Sequence, residues 1–145
     1  MKRADGPRQV WVDANVVLRL ITGKPEAQAR ASAALMARAD AGELRLRLCP
    51  LVVAEVVWVL TSAYSLAPAD VASVLTSFLA SGGLIVDEGM QLATALDLMV
   101  EKRVDFVDAY LAVRARFSGD PVASFDRDFD TLGVERVALG VGQTT

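Results

Sequence analysis

Four carboxylates stand where their surroundings do not ask for them. Asp13 closes the apolar run Val10-Trp11-Val12, and Asp126 closes Pro121-Val122-Ala123-Ser124-Phe125. Glu55 is the only charge between Val52 and Leu60, and Asp108 interrupts Phe106-Val107-Asp108-Ala109-Tyr110-Leu111. Carboxylates brought together repel, and near neutral pH they stay ionised only when a cation holds them. Oxygen donors without histidine or cysteine suit Mg²⁺ or Mn²⁺. Such an ion polarises a phosphate and acidifies a bound water, which is the chemistry of phosphodiester hydrolysis. Each acid also has a plainer reading. Asp13 is a good helix N-cap. Asp105 and Asp108 would both be stabilised by the positive end of a helix dipole, with Asp105 the cap and Asp108 the functional group. Glu55 could face solvent, although its neighbours suggest a helix apolar on nearly every side.

The elements that would position these acids alternate in type. Strands are expected at Val10–Val12, Leu44–Leu48, Leu84–Val86, Pro121–Phe125 and Val134–Leu139. Helices are expected at Ala14–Ile21, Pro25–Ala41, Leu51–Ser65, Pro68–Ala80, Met90–Arg103 and from Asp105 to about Phe117. Gly23 suits the C-terminal cap of the first helix, and Pro25 the first turn of the second. This order implies an α/β fold, a three-layer α/β/α sandwich around a central, mainly parallel sheet. In such sheets ligands bind beyond the carboxyl ends of the strands. Asp13, Asp108 and Asp126 are therefore expected to converge there, with Glu55 reaching in from a neighbouring helix.

The 145 residues imply a single domain, 1–145, with a core at about 10–137. Hydrophobic residues make up 53% of the chain, which excludes disorder. The most apolar run, Leu48–Leu60, carries Pro50 and Glu55 and is too short to span a bilayer. Met1–Gln9 is charged, contains Pro7 and has no apolar signal-peptide core, so a cytoplasmic location is expected. Cys49 is the only cysteine and reads as a small core residue. The chain has no histidine, which excludes Ser-His-Asp and Cys-His catalysis and the common zinc sites. A net charge of −3 is not the footprint of a general nucleic-acid binder, so a polyanion would need a local basic patch or a bound cation. Arg45 and Arg47 share one strand face, either solvated or in contact with phosphates.

The order and spacing of the four acids resemble the PIN domain, and within that family the VapC-type toxins of toxin–antitoxin pairs. The resemblance runs from Val10 to about Val137. It rests on Val12-Asp13-Ala14-Asn15-Val16-Val17-Leu18-Arg19, Ala54-Glu55-Val56-Val57-Trp58-Val59-Leu60, Val104-Asp105-Phe106-Val107-Asp108-Ala109-Tyr110-Leu111 and Ser124-Phe125-Asp126-Arg127-Asp128-Phe129. It implies a Mg²⁺- or Mn²⁺-dependent ribonuclease. Asp13, Asp108 and Asp126 would hold metal directly or through water, and Glu55 would be a ligand or orient the water. Asp128 is either a further ligand or water-holder, or a solvated surface residue. Asn15 and Ser124 resemble the polar residues that orient metal-bound water. Arg19, Arg45, Arg47 and Arg127 are candidate phosphate contacts. The resemblance also implies an RNA substrate, a homodimer and a small antitoxin partner. The alanine-rich helices could supply apolar surface for such pairing, or pack into the core.

Two other readings compete. A haloacid-dehalogenase-like phosphatase also places an aspartate after its first strand, but needs an acid where this chain has Asn15, and a lysine after a middle strand. A PIN-like module without activity would bind RNA or protein only, yet all four acids are present here.

Overall fold

In the computed structural model, residues 6–140 are described. The start of the charged N-terminal segment and the end of the polar C-terminal tail lie outside the described residues. The chain is mixed α/β, with six α-helices and parallel strand pairing among the described residues, consistent with the α/β/α class. It forms two compact units, Met1–Gly89 and Met90–Thr145.

The first unit is built on a three-stranded parallel sheet in the order β1 (Arg8–Trp11), β2 (Leu44–Leu48), β3 (Leu84–Val86). Trp11 pairs with Arg47 and Leu48 with Val86, and the β1 ladder continues one residue further as the Val12 amide donates to the Arg47 carbonyl at 2.9 Å. The Leu-Arg-Leu-Arg-Leu alternation of β2 buries Leu44, Leu46 and Leu48 on one face and leaves the arginines on the other. Each buried leucine contributes about 1.5–3 kcal/mol of burial free energy.

Helix α1 (Ala14–Thr22) follows β1 directly and packs against α2 (Glu26–Asp40) and α3 (Pro50–Ser62), while α4 (Pro68–Leu79) packs on α3. Gly23 ends α1 in the left-handed conformation, its amide donating to the Arg19 carbonyl. Pro25 is the residue before α2, in extended conformation, rather than part of its first turn. Gly83, at φ +76°, admits no other residue, because a Cβ there would stand 2.6 Å from the Ala39 carbonyl oxygen. Its own carbonyl accepts from Leu46, so this turn lets α2 and β2 approach closely.

One expectation fails here, and one of the two readings of the alanine-rich helices drops out, for the same reason. Helix α3 is not buried all round: Val53, Val56, Val57 and Leu60 form its buried stripe, while Leu51, Glu55 and Trp58 face solvent. In α2 only Ser32 and Ala39 are buried, so core packing does not account for most of its alanines. Composition measures how apolar a helix is, whereas packing geometry decides how wide a stripe it can cover.

The second unit contains α5 from Met90 onward (Gly89–Lys102 in all), α6 (Phe106–Ser118), β4 (Val122–Ala123), a 3-10 turn (Arg127–Thr131) and β5 (Arg136–Val137). Strands β4 and β5 pair in parallel. Both are shorter than the apolar runs that contain them, because only two residues on each side make ladder bonds. Leu92, Ala95, Leu96 and Met99 of α5 and Ala109, Ala112 and Val113 of α6 are buried. Among the described residues no helix is long and apolar enough to cross a membrane.

Candidate functional site

Asp13 and Glu55 belong to the first unit, and Asp108, Asp126 and Asp128 to the second. Asp13 stands at the carboxyl end of β1, exposed, in extended backbone. Its Oδ1 accepts from the Val16 amide at 3.1 Å, so it caps α1 as its residue type allows. Asn15 is exposed in the first turn of α1. Glu55 is exposed on α3, between Leu51 and Trp58 along the same face. A buried carboxylate needing a partner is therefore not what Glu55 is. The correction follows from helix spacing, since positions four before and three after it share its side.

Two of the proposed phosphate-binding arginines already have partners. Arg47 forms an ion pair with Asp87, donates to Gln9 at 3.3 Å, and stacks its guanidinium 4.8 Å from the Trp11 ring centre. Arg19 donates from Nε to Gln28 at 2.8 Å. Arg45 and Arg127 are exposed.

The second unit gathers acids. Asp105 precedes α6 at the N-cap position, but its side chain makes no capping bond. Asp108, in the first turn, is half-buried. Partial burial pushes its carboxyl above the ordinary carboxylate range, and Asp105, Asp126 and Asp128 each push it further in the same direction. Among the described residues no lysine or arginine forms an ion pair with these four acids.

The loop bearing Asp126 is held by its own side chains. The Ser124 hydroxyl accepts from the Asp126 amide at 2.9 Å, and Asp126 Oδ1 accepts from the Asp128 amide at 2.8 Å. Arg136 closes the arrangement. Its Nε and Nη2 donate to the two oxygens of Asp130 at 2.8 and 3.3 Å, and its Nη1 donates to the Ser124 carbonyl at 3.2 Å. Asp130 is thereby held below the usual carboxylate range, chiefly by the hydrogen bond from Arg136. Sequence reasoning missed Arg136. Its only signal was a lone arginine in a short final strand, six residues after an acid of the Asp126–Asp130 run.

A PIN domain family model matches residues 10–135, through both units and all four acids. The chain belongs to the PIN domain family. No curated protein matches it. PIN domains are typically metal-dependent nucleases acting on RNA, so this PIN domain has a nuclease-type fold. The candidate donors are all carboxylates, a type that suits a hard divalent cation, and the like charges that push the Asp108 carboxyl up are ones a cation would offset. Among the described residues, however, no group of three or more acidic, histidine or cysteine side chains is already arranged to hold a metal ion.

Proposed function

We propose that this PIN domain is a Mg²⁺- or Mn²⁺-dependent endoribonuclease. The observation that carries this reading is the half-buried Asp108, whose carboxyl is pushed up by burial and by the charges of Asp105, Asp126 and Asp128 and forms no ion pair among the described residues, in a chain of this family. Asp13, Asp108 and Asp126 would hold the ion, with Asp128 as a further ligand and Glu55 as a ligand or water-orienting base. When bound, the ion supplies charge for the scissile phosphate and acidifies a water. The chain's own residues do the positioning. Ser124 fixes the Asp126 backbone, Arg136 ties the loop through the Ser124 carbonyl, and Asn15, two residues beyond Asp13, would orient water. Proton removal falls to a carboxylate, because no histidine exists to take the role.

The same reading makes the protein the toxin of a VapBC-like pair, cytoplasmic, dimeric and restrained by a small antitoxin. The exposed Leu51 and Trp58 on α3 support pairing with a protein surface. End-labelled RNA incubated with Mn²⁺ tests the activity. Cleavage that stops with EDTA and in Asp13→Asn supports it, and cleavage at the wild-type rate by that variant overturns Asp13's role.

One observation favours a second reading, a PIN-like binding module without catalysis: no preassembled metal group exists among the described residues. Such a module would show no Mn²⁺-dependent rise in melting temperature, whereas an ion that binds the native state must raise it.

A further inference from the structure

The exposed face of the first unit's sheet is furnished in a way that neither the fold nor the acids require. Trp11 lies in a strand yet is 60% exposed. A large aromatic ring left in water is costly unless something covers it. Its cross-strand partner is Arg47, whose guanidinium lies over the ring at 4.8 Å. That contact covers part of the ring, and at 60% exposure much of the indole remains open. Arg47 is also fixed in place. Asp87 and Gln9 hold its terminal nitrogens, and its Nε is buried without a partner. Arg45, two residues away on the same face of β2, is exposed and, among the described residues, unpaired.

A rigid aromatic ring backed by a guanidinium, with a second cation beside it, is what single-stranded nucleic acid uses. Bases stack on aromatic rings and guanidinium planes, and arginines take the phosphates. A protein partner would be expected to bury apolar neighbours around the tryptophan, but this face is mostly polar, with Gln9, Arg45, Arg47 and Asp87, and its apolar exception, Ile85 opposite Arg47, is half-buried and a strand further from the ring. Position along the strand adds a second argument. Trp11 and Asp13 are two residues apart in extended backbone, so their side chains leave the same side of the chain. Their Cα atoms are separated by roughly 7 Å, a distance that a base and its own phosphate can bridge.

We infer that Trp11, backed by Arg47, is a stacking platform for an unpaired base of single-stranded RNA, placed next to the phosphate presented at Asp13. Arg45 takes the phosphate of a neighbouring nucleotide. The inference rests on the ribonuclease reading for the meaning of Asp13, but the platform itself needs no metal and no cleavage.

The test uses that separation. In the full chain carrying Trp58→Phe, Trp11 is the only tryptophan, and its fluorescence is followed during titration with a short unstructured RNA in EDTA. Quenching is expected, and it should be lost with a duplex of the same sequence and with an oligomer lacking bases. Trp11→Ala should weaken binding by roughly five- to a hundredfold, while Trp11→Phe keeps most of it. Arg45→Ala should lower affinity and reduce its salt dependence without abolishing the quench. Circular dichroism and melting of each variant separate loss of fold from loss of stacking. RNA that leaves the fluorescence unchanged, or equal affinity in Trp11→Ala, overturns the platform. Quenching without any Mn²⁺-dependent cleavage keeps the platform and removes the nuclease reading. Cleavage by wild-type protein and Trp11→Ala with equal KM does the reverse.

Discussion

At the carboxyl end of the first unit's sheet the acids have partners, whereas Asp108 in the second unit is set against its neighbours. At the carboxyl end of the first unit's sheet, Asp13 caps α1 and Asp87 pairs with Arg47. In the second unit, Asp105 makes no capping bond, and Asp108 is raised by burial and by three neighbouring carboxylates. The contrast shows which acids the fold accounts for by itself. A capped or paired carboxylate contributes to stability. A half-buried carboxylate among like charges costs stability, and it is retained where a bound cation or substrate turns the cost into binding.

The largest effect expected from this contrast is on catalysis. Asp108→Asn should lower Mn²⁺-dependent RNA cleavage by about a hundredfold or more, measured as initial rate on labelled RNA. The same variant should melt at a higher temperature than the parent in EDTA at neutral pH. The sign follows from linkage. Because its folded pKa is raised, Asp108 binds a proton more tightly in the native state. Stability is therefore favoured at acid pH and falls as pH rises through the interval between the unfolded and folded values. The gain from Asn should accordingly vanish when melting is repeated below the ordinary carboxylate range.

Asp13 separates the two roles by substitution type. Asp13→Asn keeps a good N-cap and should keep the fold, while Asp13→Ala loses the cap and about 1 kcal/mol in denaturant unfolding. Both should lose cleavage. Glu55→Gln should be smaller still in stability, within about 0.5 kcal/mol, because Glu55 is exposed. The smallest effect is expected at Asp130→Asn. It removes the charge and one of the two oxygens that accept from Arg136 and should lower the melting temperature slightly at neutral pH. That loss should disappear as pH falls through the depressed carboxyl of Asp130, since a lowered pKa supplies stability only above it.

What the sequence made legible follows the strength of local signals. Strands β2 and β3 and the starts of α1 and α6 were readable because alternation, glycine and acidic residues mark them. Strand ends were not, since β4 and β5 pair over two residues each while their apolar runs extend further. The exposed side of α3 was hidden by its composition, although Glu55 itself marked it. At the candidate site, the residue types and the loop at Asp126 could be read from sequence. The hold of Arg136 on that loop could not, because it depends on a pairing of strands that no short-range pattern encodes. Arg47 was read as half of a solvated or phosphate-binding pair, and its ion pair with Asp87 likewise depends on strand register.

Calorimetric titration of the full chain with Mn²⁺ tests the central claim most directly. Wild-type protein should take up the ion with saturable heat, and Asp108→Asn and Asp126→Asn should each weaken uptake by at least about tenfold. Identical isotherms for all three proteins, or no heat from the wild type, would contradict it.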